Sequence, residues 1–345
     1  MNSQKSSLAL AFLLGALPAL ALGQDVADRP VTVTVDNFVR AESDMYMRNL
    51  VKSTGGIGQL ARRRQLAPVE ARTVLRPNRD TYYSIGVFDL DAGPVSVTLP
   101  APGQRFMSMQ IVNEDHYTPV PVVYRAGTYR ISREQVGTRY AVINVRLLGD
   151  PNDARDLAQA FALQDAIKVE QARRGSFEVP AWDAQSQAKV RQALFALGGN
   201  LDSKGMFGSR DEVDPIRHLI GTATAWGGNN EKDALYLSVT PPRNDGATFY
   251  RLTVKDVPVD GFWSTTVYTA DGYFQPNAQN AYSLNSITAK RSADGSVTIQ
   301  FGGCDGQVSN CLPITSNWNY LVRLYRPRAE ILDGKWAFPQ ALAVD

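Results

Sequence analysis

Residues 76–100 read RPNRDTYYSIGVFDLDAGPVSVTLP, a polar cluster followed by two runs of β character. Val95, Val97 and Leu99 alternate with Ser96 and Thr98, the period of a strand with one buried face. The string DLDAGP between the runs carries the Asp, Gly and Pro of a turn. The polar cluster in front, Asn78, Arg79, Asp80, Tyr82 and Tyr83, is either the mouth of a site or the edge of a sheet. Tyr82 and Tyr83 are adjacent on extended chain, so one points inward and the other outward. The simplest account is an Arg79–Asp80 pair at the strand entrance.

Working outward, the same grammar recurs as far as Leu148: YYSIGVFDL, PVSVTLP, RFMSMQIVN, PVVYRAGTYRIS and YAVINVRLL, with turn signals between them. This is antiparallel β sequence. Upstream, RPVTVTVDN alternates like a short strand. DNFVRAESDMYMRNLVK then reads as a helix capped by Asp36 or Asn37, with Phe38, Ala41 and Met45 on one face. Downstream the period changes. Asp153 caps a helix with Leu157, Phe161 and Ile167 in a stripe, and Gly175 sits as its C′ glycine. A second helix covers about Asp183 to Leu197, with Val190, Leu194 and Leu197 at helical spacing. Asp214-Pro215 suits the start of a third.

From about Ala234 the chain returns to strands. Tyr250, Leu252 and Val254 oppose Arg251, Thr253 and Lys255. Trp263 shares a face with Thr265 and Val267, while Tyr268 faces the other way. Asp294-Gly295 is a hairpin signal, and NYLVRLYRP closes the series. The fold class expected is mainly β with helices (α+β): two antiparallel β-sandwich or jelly-roll-like domains joined by a helical segment. The expected division is a signal peptide at 1–23, a β-rich domain with a leading helix at 24–150, a helical connection at 151–233 and a jelly-roll-like domain at 234–345.

Composition bounds the function. The chain has 345 residues, 44% of them hydrophobic and 20% charged, so two domains are the natural expectation. The opening MNSQKSSLALAFLLGALPALALGQD has one lysine, a short apolar run and small residues before Gln24, the pattern of a signal peptide cleaved after Gly23. That run is too short for a membrane span and no later one is long enough, so the mature protein is expected to be soluble and periplasmic or secreted, without a transmembrane segment. A formal net charge of +2 argues against nucleic acid as a partner. The basic run Arg62-Arg63-Arg64 reads as a solvated turn. Cys304 and Cys311, in GGCDGQVSNCLP, are expected to form a local disulfide in an exported chain.

Several stretches together resemble a known family. NRDTYYSIGVFDLDAGPVSVTLP, RFMSMQIVNEDHYTP, VDPIRHLIGTATAWGGN and GFWSTTVYTADGYF with the later YSLNS, ADGSVTIQFGG, NCLP and LVRLYRPRAEILDGKW are similar to bacterial proteins pairing the domains of unknown function numbered 1254 and 1214. The likeness spans nearly the whole chain after the leader. It implies two β-rich, jelly-roll-like domains in exported proteins. It implies no reaction, and it assigns no functional residue.

The chemistry must therefore come from the residues. No G-x-S-x-G elbow is present. Ser186-x-x-Lys189 matches S-x-x-K spacing but lies on an amphipathic helix. The chain has two histidines, too few for a His-rich zinc centre. Asp89, Asp91, Glu114 and Asp115 are the oxygen donors a calcium site would draw on, although aspartates in turns more often bond their own backbone. No metal and no cofactor is expected.

NEDHYTP places Glu114, Asp115, His116 and Tyr117 together, the materials of general acid–base catalysis, and His218 is the other candidate base. Neighbours on extended chain alternate faces, so a solvated loop is the favoured reading there. Arg79, Asp80, Tyr82, Tyr117, Trp226, Asn229, Trp263, Tyr268 and Tyr273 form the candidate ligand-binding set, on the argument that aromatic and polar side chains combine to hold sugars or apolar ligands. The function expected is binding of a small molecule, glycan or lipid-like compound in a cleft between the domains. The alternatives are a hydrolase working through carboxylates and histidine on glycans or esters, and an envelope interaction protein without catalysis.

Overall fold

The computed structural model describes residues 29–70, 72, 75–198 and 201–344, so the expected leader lies outside the described residues. Helix α1 (Phe38–Thr54) precedes strands β1 (Ala61–Arg63), β2 (Thr81–Asp89), β3 (Val95–Leu99), β4 (Met107–Asn113) and β5 (Gly127–Ile131). Then come α2 (Arg133–Val136), β6 (Tyr140–Leu148), α3 (Ala154–Ala166), β7 (Lys168–Glu170), α4 (Ala184–Gly198) and α5 (Pro215–Thr224). The rest comprises β8 (Ala234–Val239), β9 (Tyr250–Val254), β10 (Trp263–Tyr268), β11 (Ser283–Asn285), β12 (Val297–Phe301), β13 (Cys311–Leu312), β14 (Asn319–Tyr325), α6 (Ala329–Leu332) and β15 (Leu342–Ala343). The fold is mixed α+β and mainly β.

In the first half an antiparallel sheet of order β1-β2-β6-β4 faces a smaller one of order β5-β3-β7. Phe88, Val95, Val97, Leu99, Met109, Ile111, Ile143 and Val145 fill the space between them. The alternation of β3 is real: its valines and leucine are buried and its Ser and Thr only half-buried. Strands β4 and β6 are buried along their whole length, because helices cover their second face and place Met47 against Val87, Val112, Tyr140 and Val142. On that second face β4 and β6 also carry polar side chains, Gln110, Asn144 and Arg146, all buried.

The second half repeats the plan. A sheet of order β11-β10-β14-β8 packs on one of order β13-β12-β9-β15, antiparallel except for the short parallel pairing of β12 with β13. Leu252, Trp263, Ile299, Phe301, Trp318, Tyr320 and Val322 form its core. Trp263, Thr265 and Val267 face inward together, as their spacing requires, and Tyr268 lies on the opposite face. Cys304 and Cys311 are joined, with 5.5 Å between their Cα atoms.

Several local expectations are corrected. RPVTVTVDN forms no strand beyond one bridge from Val31 to Trp182. The Ser186 hydroxyl accepts the Val33 N–H, and the Asn37 side chain accepts that of Thr34, so side chains occupy the donors a ladder would use. PVVY contributes only the bridge from Val123 to Met109. Arg62 and Arg63 lie in edge strand β1 rather than a solvated turn, and Arg62 donates to the Gln164 and Ile167 carbonyls. Gly175 caps no helix: α3 ends at Ala166, and a β-carbon on Gly175 would fall 2.4 Å from Asp89 Oδ2. The Asp294-Gly295 turn makes no hairpin, because β11 before it and β12 after it belong to different sheets.

Helices α3, α4 and α5 lie between the halves in sequence, and α1 precedes both. Asp153 and Asp214 cap α3 and α5, each accepting two backbone N–H groups. On α1 the buried set is Phe38, Ala41 and Met47 together with Glu42, Ser43 and Asp44, while Met45 is only partly covered. That polar face is met from outside the helix, apart from Asp44 Oδ1, which has no partner among the described residues. Glu42 accepts from Arg191 at 2.7 and 2.6 Å and from Gln187, Ser43 from Trp226, and Asp44 from Trp182. Ser186 spends its own hydroxyl on the Asp183 carbonyl, which leaves the S-x-x-K pair without a free nucleophile.

Candidate functional site

The polar faces of the two large sheets meet, and two arginines anchor the contact. Arg146 on β6 donates to Gln110 Oε1 (2.8 Å), the Gly227 carbonyl (3.0 Å) and Asn229 Oδ1 (3.4 Å). Arg323 on β14 donates to Thr266 Oγ1 (2.8 Å), Tyr268 Oη (2.7 Å) and the Arg76 carbonyl (3.1 Å). Asn78 ties the halves together, its Nδ2 lying 3.0 Å from both Tyr83 Oη and Tyr325 Oη. Burial, reinforced by the neighbouring Tyr236 and Tyr83, pushes the Tyr325 phenol well above the usual tyrosine range, so it stays a neutral hydrogen-bonding group.

This answers the question raised by residues 76–100: the polar cluster is a seam between the halves. Arg79 and Asp80 do not pair. Arg79 donates to the Ala67 carbonyl and covers the rings of Tyr282 and Phe274, whereas Asp80 accepts from Ser283 at 2.8 Å and lies 3.9 Å from Arg323. Tyr82 is buried edge-on to Phe161 behind the sheet, and Tyr83 turns to the seam.

The two histidines come together. His116 and His218 stack at 5.5 Å, within a run that also holds Tyr117 (4.5 Å from His218) and Trp226 (5.5 Å from His116). The Gly227 N–H donates to His116 Nε2, which fixes the proton on Nδ1, where it is donated to Thr222 Oγ1. Burial, with His218 as a lesser cause, holds His116 well below the ordinary histidine range. The ring nitrogens of His218 each lie 3.0 Å from a carbonyl, those of Met206 and Asp115. Glu114 accepts the Tyr140 N–H, and Asp115 accepts from Arg40. Asn113, Glu114 and His116 are therefore buried rather than solvated, while Asp115 and Tyr117 stay half-buried beside α5.

The remaining candidates scatter. Asn229 bridges Arg146 and Tyr236, Trp263 packs on Phe338 in the core, and Tyr273 lies under Arg72 at the surface. Asp89 faces Arg139, Asp91 faces Arg133, and Glu114 and Asp115 face Arg40, so these carboxylates bind guanidinium groups instead of converging. Among the described residues no group of three or more metal-ligating side chains is assembled.

A groove of about 730 Å³ opens between the halves, within the range of about 300–1,000 Å³ typical of small-molecule sites. Phe106 forms its floor, edge-on to Phe262 (5.1 Å) and Tyr325 (5.4 Å). Ile287, 43% exposed, stands on its rim. Arg105 closes one wall, bidentate to Asp156 at 2.5 and 2.8 Å. On the other side Arg326 lies 4.7 Å over the ring of Tyr124, whose hydroxyl donates to Asp233. Asp260 accepts from Arg328 at 2.7 Å. None of the residues singled out from the sequence lines this groove. Its lining comes from the loop before β4, from helix α3 and from the ends of strands in the second half, and no local pattern marks such positions.

These features define a protein of two β-sandwiches locked at a polar seam, with a ligand-sized groove alongside. Residues 57–171 match the family described as a protein of unknown function, DUF1254, and residues 240–329 match DUF1214; the chain belongs to the proteins that pair these two domains. The VPA0106 protein from Vibrio parahaemolyticus has a similar structure, with a TM-score of 0.68 at 16% identity, covering 90% of this chain and 98% of that one. An uncharacterised protein from Burkholderia cenocepacia aligns with a TM-score of 0.49 at 11% identity, over 90% of this chain and 88% of its own. The Vibrio likeness is one of fold. No curated protein matches the sequence.

Proposed function

We propose that the protein binds a small molecule in the groove between its halves, a molecule with one apolar face and a hydrogen-bonding edge, as an aryl glycoside has. The groove itself carries this reading: it is ligand-sized, has Phe106 for a floor, and is bordered by Arg105, Gln159, Ser286 and Arg326. A hydrolytic role needs an acid or base at the groove. Asp156 is held by Arg105 and Asp260 by Arg328, and the histidines spend their ring nitrogens elsewhere, so binding is the better-supported reading. We place the protein outside the cytoplasm, because a disulfide persists where thiols are not kept reduced and residues 1–23 read as a leader.

The test is thermal unfolding against a panel of sugars, aryl glycosides and fatty acids. A ligand at a hundred times its Kd adds about 2.7 kcal/mol of stability. The shift should vanish in Ile287→Trp, which fills the groove from its exposed rim. No shift with any panel member, or an undiminished shift in that variant, would overturn the proposal.

A further inference from the structure

We infer that the ligand of this groove is acidic and that its carboxylate docks on Arg326. The inference rests on the groove being the binding site. Arg326 follows the last residue of β14 and lines the groove with its side chain 41% exposed. Among the described residues its guanidinium makes no hydrogen bond to a carboxylate. The nearest, Asp260, is 4.0 Å away and is already engaged by Arg328 at 2.7 Å. Arg326 and Arg328 thus share Asp260, and Arg328 takes its hydrogen bond, which leaves the Arg326 donors facing the groove. On the opposite wall Arg105 and Asp156 neutralise each other.

Arg326 is also held in place. Its backbone has φ 52°, the left-handed region that a residue with a β-carbon rarely occupies, and such strain persists where the surroundings impose it. Here they do: its N–H donates to the Asp233 carbonyl, and Asp233 in turn accepts the hydroxyl of Tyr124, on whose face the guanidinium rests. A planar fork fixed on an aromatic ring, with donors unfilled and a groove in front, is suited to bidentate capture of a carboxylate. A neutral ligand would leave those donors to water.

A matched pair of probes separates this inference from the reading beneath it. Phenyl β-D-glucuronide and phenyl β-D-glucoside differ only in a carboxylate against a hydroxymethyl group. Calorimetry on the oxidised protein should find the glucuronide bound about tenfold or more tightly, the scale of one charged hydrogen-bonded contact. Arg326→Asn removes the charge, and asparagine tolerates a left-handed backbone. It should weaken the glucuronide about tenfold, weaken the glucoside far less, and so abolish the preference in a protein that still unfolds cooperatively. Equal binding of both probes by the parent, or equal loss of both in Arg326→Asn, would overturn the inference while the groove stands as a binding site. Failure of the parent to bind either probe would remove this groove ligand and the inference with it.

Discussion

Arg323 Nη1 lies 3.9 Å from Asp80 Oδ2 inside the seam between the two halves, and both side chains are almost fully withdrawn from solvent. Removing one partner of a buried pair leaves a charge with no counterion, which costs about 3–5 kcal/mol. Asp80→Ala should therefore lower the urea midpoint by an amount equivalent to that cost, well beyond the effect of Ser283→Ala, which removes only the hydroxyl donating to the same carboxylate. A loss below about 1 kcal/mol would mean that Thr266, Tyr268 and the Arg76 carbonyl satisfy Arg323 without it.

The histidine stack carries packing and hydrogen bonds. His116→Ala would strand the Gly227 N–H, remove the donor to Thr222 Oγ1, whose own proton stays on the His218 carbonyl, and delete a ring packed on Trp226 and His218. The expected cost is about 3 kcal/mol, from one stranded donor, one lost hydrogen bond and a cavity. Ligand affinity at the groove should not change, because the stack lies outside its lining. A stable His116→Ala protein that has lost binding would contradict this arrangement.

Asp44 makes stability pH-dependent. Burial is the main cause of a carboxyl pushed up to about 6 from an ordinary 3.8; Glu114 adds to the rise, and the hydrogen bond from Trp182 opposes it. The folded chain therefore holds this proton where the unfolded chain releases it. The contribution is complete below about pH 4 and is lost as pH rises through 6, up to about 3 kcal/mol in all. Asp44→Asn should match the parent at pH 4 and exceed it in stability at pH 7.5. An equal difference at both pH values would refute the assignment.

Reduction of the disulfide should act locally. Cys304 and Cys311 are seven positions apart, and a loop of that length is worth about 2–3 kcal/mol on the chain-entropy account. A Cys304→Ser, Cys311→Ser double variant should lose that much in denaturant titration and keep the groove affinity of the parent. Loss of binding at unchanged stability would show that the β12–β13 edge reaches the groove.

What local chemistry dictates was legible in the sequence. Val95, Val97 and Leu99 alternate because a strand repeats every two residues, Asp153 and Asp214 open helices because their side chains accept the first free N–H groups, and two cysteines in one short loop can meet. The same rules put Trp263 on one face with Thr265 and Val267 and Tyr268 on the other. Only the tertiary structure decided what that opposite face meets. A period of two says that Tyr83, Arg146 and Arg323 leave the core of their own sandwich, and is silent on whether water or a second sheet receives them. The groove follows from the same fact. Phe106, Phe262, Ile287 and Arg326 become neighbours when the sheets dock, because shape between two surfaces depends on their relative placement and not on the order of residues within either.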